Sequence, residues 1–122
     1  MSRSVLIVED EIVLQDVYKL LLSKHGYEVY TANNGMEGIA ALKKNRPDVV
    51  LLDIFMPVMD GKEFLRNIDI VDYPNTKFVA CTNLSDAATR AEMQELGAHN
   101  FVVKSSMAPK DLLNLVDKMT MA

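Results

Sequence analysis

The sequence predicts an alternating α/β domain, with one parallel β-sheet and helices packed on both faces. Three observations carry that prediction. Five short apolar runs alternate with five amphipathic segments, the pattern that strand–helix–strand units with right-handed crossovers produce. The third run, Val49, Val50, Leu51 and Leu52, is apolar at every position, as a strand covered on both faces must be. The length of 122 residues, with 49% hydrophobic and 25% charged residues, suits one core of ordinary size, so residues 1–122 are expected to form a single domain.

The predicted strands are "SVLIVE" (4–9), "EVYTA" (28–32), "DVVLLD" (48–53), "KFVACT" (77–82) and "NFVVK" (100–104). The first helix is "EIVLQDVYKLLLSKHG", with Leu14, Val17, Tyr18 and Leu21 on one stripe and Gly26 just past its end. "GMEGIAALKKN" forms the second around Ile39 and Leu42, and Pro47 stops it. The third, "GKEFLRNI", presents Phe64, Leu65 and Ile68. The fourth, "SDAATRAEMQELG", is expected to start at a Ser85 N-cap and stop at Gly97. Pro109 opens the fifth, which carries Leu112, Leu115, Val116 and Met119 on one face, although Ala108 before it is a poor cap. The connection 69–76 is the longest irregular piece, and its polar residues predict a surface loop.

Charge and composition narrow the function classes. A net charge of −4 opposes direct binding to nucleic acid or an anionic membrane, since both attract a positive field. No apolar run approaches the roughly 20 residues that span a bilayer. "MSRSVLIVEDE" lacks signal-peptide architecture, and a cytoplasmic location is expected. Cys81 is the single cysteine, which excludes an internal disulfide and any cysteine-based metal motif.

The polar residues at the strand ends are the informative ones. Strand one runs into Glu9 and Asp10, strand three into Asp53, strand four into Thr82 and strand five into Lys104. All carboxyl ends of an open parallel sheet share one edge, where ligands bind. Three carboxylates on that edge repel, and one lysine cannot neutralise them, so a cation is expected to join them. An oxygen-only set with few carboxylates and open positions suits Mg²⁺ better than Ca²⁺. Lys104, the Thr82 hydroxyl and a metal are together the parts that hold a phosphoryl group, with Asp53 as the nucleophile. Singly, each residue has a plainer reading. Asp10 or Asp53 alone is as readily a helix cap or turn residue, and the acids of "VEDE" can be a solvated helix start. Only their joint placement lifts the functional reading above these.

On these residues the sequence resembles the receiver domain of two-component response regulators, along essentially its whole length. The resemblance implies a flavodoxin-like, doubly wound five-stranded parallel sheet of strand order 2-1-3-4-5 with five helices. "LIVEDE" matches the first-strand acidic pair, implying Glu9 and Asp10 as metal ligands. "LLDIFMPVMDG" matches the acceptor strand and loop, implying Asp53 as phosphoacceptor and metal ligand and the Phe55 backbone carbonyl as a further ligand. "VACT" and "FVVK" imply the switch pair Thr82 and Phe101 and the site lysine Lys104. Asp60 and Gly61 are read as loop shaping, Gly61 allowing a tight turn. The implied cofactor is Mg²⁺. The implied partners are a sensor histidine kinase or histidine phosphotransfer protein, and a downstream protein at the face made by the fourth helix, fifth strand and fifth helix. A phosphorylation-dependent dimer is a further form that the resemblance leaves open.

This chain departs from the family pattern at three places. Glu9 stands for the commoner Asp, Asn83 follows Thr82 where a small residue is usual, and Ser105 follows Lys104 where a proline is usual. A cis peptide before serine costs about 2.5–4 kcal/mol, so the Lys104–Ser105 bond is expected to be trans, with Lys104 still aimed at Asp53. Phe55 and Leu84 are apolar at the positions that flank the attacking water in receivers, so slow self-dephosphorylation is expected. Two other functions compete. A receiver-like binding module that is never phosphorylated would not need the full set of acids and Lys104. A flavodoxin-type cofactor binder would need a glycine-rich loop after strand one, where "EDEIVL" is acidic instead.

Overall fold

A computed structural model of the protein describes residues 3–83 and 86–121. Five strands, β1 (Ser4–Val8), β2 (Glu28–Ala32), β3 (Val49–Asp53), β4 (Lys77–Thr82) and β5 (Asn100–Val103), form one parallel sheet in the order β2-β1-β3-β4-β5. Five helices follow them in turn: α1 (Ile12–Lys24), α2 (Gly35–Asn45), α3 (Gly61–Arg66), α4 (Ala87–Glu95) and α5 (Pro109–Thr120). The expected strand order and helix count are both found.

Strand alternation splits the core in two. Val5, Ile7, Val49, Leu51 and Val79 face α1 and α5, where they meet Tyr18, Leu22, Leu112 and Val116. Leu6, Val8, Val50, Leu52, Phe78 and Ala80 face α2, α3 and α4, where they meet Leu42, Phe64, Leu65 and Met93. Because β3 lies in the middle, all five of its residues are buried. Each fully buried Leu or Phe contributes roughly 1.5–3 kcal/mol of transfer free energy, so this two-sided core is the main source of stability. No helix among the described residues is long and apolar enough to cross a membrane.

Several local expectations change. The buried stripe of α1 is Gln15, Tyr18 and Leu22, with Leu14 and Leu21 packed beside it, whereas Val17 is 44% exposed. Ser85 lies outside the described residues, and the N-cap of α4 is Asp86, which accepts from the Ala88 amide at 2.9 Å and the Thr89 hydroxyl at 3.0 Å. The third helix stops at Arg66, where the Asn67 side chain donates to the Glu63 carbonyl at 2.7 Å. Connection 69–76 is not wholly a surface loop. It contains a single-turn 3-10 helix, Ile70–Asp72, and its Tyr73 and Thr76 are buried, Thr76 donating to the Pro47 carbonyl at 2.6 Å.

Candidate functional site

The carboxyl edge of the sheet carries the acids. The amide of Glu9 donates to the Ala32 carbonyl at 3.0 Å, extending the β1–β2 ladder by one residue, and this turns its carboxylate inward at 2% exposure. The side-chain nitrogen of Gln15 fixes the same corner. It lies 3.0 Å from the Glu9 carbonyl, 3.2 Å from the Ala32 carbonyl and 3.0 Å from Asn33 Oδ1. Sequence reasoning missed this residue, since a lone glutamine on a helix carries no signal of the loops it will join.

Asp53 ends β3 at 6% exposure, and α3 is pressed against its backbone. Gly61, the first residue of α3, is needed for that approach: a Cβ there would sit 2.6 Å from the Asp53 carbonyl oxygen and 2.9 Å from Ile54 Cα. Its expected role as a tight-turn glycine is therefore replaced by close packing. Asp60 does more than shape the loop. It is the N-cap of α3, accepting from the Glu63 amide at 2.9 Å, while Glu63 accepts back from the Asp60 amide at 3.4 Å. In the same loop Val58 has φ 70°, a left-handed conformation that β-branched residues avoid.

The capping interactions remove one plainer reading of the two aspartates, that of helix caps. The α1 N-cap position is Glu11, without a side-chain cap bond, and the α3 cap is Asp60, so Asp10 and Asp53 cap neither helix. Instead Glu9, Asp10 and Asp53 each place a carboxylate oxygen within 4.8 Å of the others. Lys104 completes the cluster across the edge, with Nζ 2.6 Å from Glu9 Oε2 and 3.2 Å from Asp53 Oδ2. The Lys104–Ser105 peptide is trans, as expected. A single 3-10 turn, Lys104–Ser106, leads the chain from β5 towards α5 and leaves the lysine aimed at both acids.

The electrostatics follow from this packing. Burial pushes the Asp53 carboxyl up to about 7; the charge of Glu9 adds to the rise, and Lys104 and the Phe55 amide oppose it. Burial alone would lower Lys104, yet its bond to Glu9 and the charges of both acids leave it raised, so it stays charged. Burial also raises the Tyr18 phenol and the Cys81 thiol to about 12 each, which keeps both neutral beside the site. Three carboxylates face one ammonium, all donors are oxygen, and the set lacks one cation. A hard divalent ion fits that composition.

The remaining expected residues fall at and behind this edge. Thr82 is fully buried at the end of β4, one residue beyond Cys81, the partner of Asp53 in the ladder. Phe101 pairs with Ala80, further back in the sheet, and is 7% exposed. The side chain of Phe55 is half exposed. Beside Lys104 opens a cavity of about 310 Å³, with Tyr18, Asn83 and Ser105 among its walls. Leu84 lies outside the described residues.

The profile of the response regulator receiver domain matches residues 5–117. The chemotaxis protein CheY of Thermotoga maritima is 36% identical over 121 residues, covering 97% of this chain and 100% of that protein. The sporulation initiation phosphotransferase F of Bacillus subtilis is 34% identical over 98 residues, 80% of this chain and 78% of its own length. Among solved structures, the chemotaxis protein CheY4 of Vibrio cholerae superposes with a TM-score of 0.89 at 32% identity, covering 98% of this chain and 99% of that one. With acids, lysine and fold in agreement, the chain belongs to the response regulator receiver domain family, the phosphoacceptor module of two-component signalling.

Proposed function

We propose that Asp53 is the residue that accepts the phosphoryl group, and that residues 1–122 act as one receiver domain. The observation that carries this reading is the placement of Lys104 Nζ between Glu9 and Asp53, 2.6 and 3.2 Å away, beside three clustered carboxylates. An oxygen of the Asp53 carboxylate attacks the phosphorus of a phosphohistidine. The P–O bond forms as the P–N bond breaks, and the imidazole leaves with the electron pair and takes up a proton. Lys104 offsets the negative charge gathered on the transferred oxygens, and Thr82 is the hydroxyl donor at the next strand end.

Glu9, Asp10, Asp53 and the Phe55 carbonyl are the residues that would hold Mg²⁺. Bound there, the ion supplies the positive charge that lets Asp53 be ionised and the phosphoryl oxygens be neutralised. Receiver domains exchange with histidine kinases or phosphotransfer proteins and with downstream targets; for this chain the output surface is assigned to α4, β5 and α5. Thr82 and Phe101 relay the change of state.

Self-dephosphorylation is slow in this reading, because Phe55 and Leu84 offer no hydrogen bond to an attacking water. A Phe55→Asn, Leu84→Glu variant is expected to lose its phosphate several-fold faster, followed by the decay of the phosphorylated mass after donor removal. Equal lifetimes would remove these two positions from control of water. The acceptor assignment itself is tested by treating the protein with phosphoramidate and Mg²⁺ and mapping the added mass. One phosphate on the peptide containing Asp53, absent in Asp53→Asn, supports it, and a phosphate elsewhere or none refutes it.

A further inference from the structure

Behind the site, the switch aromatic has a partner that the acceptor chemistry does not use. The Arg90 guanidinium carbon lies 5.0 Å from the centre of the Phe101 ring. Arg90 is exposed on α4, while the ring beneath it is 7% exposed and belongs to the core under α2, α3 and α4. α4 itself buries only Thr89 and Met93 among its nine residues, so polar contacts matter for its seating. A second contact holds its other flank: Glu92 pairs with Lys62 at 2.9 Å and with Arg66 at 2.8 Å, both on α3.

We infer that Arg90 is a positioning residue of the switch, a cationic lid that holds the Phe101 ring buried beneath α4. This inference rests on the phosphoacceptor reading and deepens it. Phe101 has no hydroxyl to draw it outward, and its ring face attracts the guanidinium by the aromatic quadrupole. Phe101 pairs with Ala80, two residues before Thr82 on β4, so the seating of the ring sets the packing behind the strand end that carries Thr82. With the ring displaced, a phenyl-sized void opens in that layer, and Thr82 has room to retreat from the phosphoryl position. Arg90 therefore biases a two-state equilibrium towards the arrangement competent for phosphoryl transfer, acting through Phe101 and touching no reacting atom. The geometry makes Arg90 specific in a way that Glu92 is not. Both seat α4, but only Arg90 meets the ring.

The test is a double-mutant cycle read in two ways. Arg90→Gln removes the cation and keeps most of the side chain, Arg90→Lys keeps the cation, and Glu92→Gln loosens α4 away from the ring. Each is made in the natural chain and in a Phe101→Leu background, and phosphorylation by phosphoramidate with Mg²⁺ is followed by intact mass. A lone exposed cation–π contact changes the ratio of the two ring positions by about two- to fivefold, so the rate should fall by at most that factor in Arg90→Gln, less in Arg90→Lys, and not at all in Glu92→Gln or in Arg90→Gln once Phe101 is Leu. An equal drop in the Leu background, or none in the natural one, overturns the assignment. The second readout needs no phosphate: ring-to-methyl NOEs of Phe101 to the core should weaken in Arg90→Gln and persist in Glu92→Gln. Unchanged NOEs in Arg90→Gln also overturn it. If the unaltered protein takes no phosphate at Asp53, the acceptor reading fails, and the NOE arm still decides whether Arg90 holds the ring.

Discussion

Two aspartates bracket β3, Asp48 just before its first residue and Asp53 at its last, and they do opposite things. At the amino end, Asp48 is tied to the backbone: its carboxylate accepts from the Ser4 amide at 2.8 Å, its amide donates to the Ser4 carbonyl at 3.0 Å, and its carbonyl accepts from the Lys77 amide at 2.9 Å. It stitches β1, β3 and β4 together where they begin. At the carboxyl end, Asp53 faces two other acids and a lysine, with burial holding its carboxyl up near 7. An acid whose oxygens meet amides is satisfied and structural. One whose oxygens share a single ammonium with two other acids stays short of positive charge, and a divalent cation fits that shortage.

Exchange of the two roles should fail completely. Asp53→Asn is expected to abolish phosphorylation while leaving the fold intact, whereas Asp48→Ala should keep phosphorylation and lose about 1–2 kcal/mol in urea unfolding. A severely destabilised Asp53→Asn protein would make Asp53 structural as well. The next effect is that of the metal. Mg²⁺ at tenfold its dissociation constant should add about 1.4 kcal/mol, a rise in melting temperature of roughly 3–6 °C, and Asp10→Ala should remove that rise while Asp48→Ala keeps it.

The dependence on pH is of similar size. The folded Asp53 carboxyl titrates higher than in the unfolded chain, where it has the ordinary value of 3.8. Its contribution is therefore fully present below about pH 4 and lost as pH rises through about 7. Metal-free protein should lose about 1–2 kcal/mol relative to Asp53→Asn between pH 5 and pH 8, after allowance for solvent screening. Urea midpoints at the two pH values measure this, and Asp48→Ala should behave as the natural chain does.

The residues that made this edge legible are those whose role is fixed by strand position. A buried apolar run ending in Asp53 has one place to put its carboxylate, and the parallel topology carries Glu9, Asp10, Thr82 and Lys104 to the same edge. What escaped depends on contacts between segments distant in sequence. Gln15 is buried because two loops bring carbonyls to its amide, while Val17, apolar but turned outward, has no such partner. Gly61 looked like a turn residue, because its real constraint, the backbone of Asp53, is visible only after α3 docks. Asp86 caps α4, one residue after the Ser85 that the sequence offers; both types are good caps, and only register separates them. Arg90 gave no sequence signal at all, since a basic residue on a polar helix is ordinary until a ring is found beneath it.

The most direct measurement of the difference between the two aspartates is a titration of their carboxyl carbons by ¹³C NMR, with and without Mg²⁺. Without metal, the Asp53 carboxyl should show a midpoint near 7, and Mg²⁺ should drive it down, while the Asp48 signal is unmoved by the metal. An Asp53 carboxyl that titrates at the ordinary aspartate value and does not respond to Mg²⁺ would contradict the account.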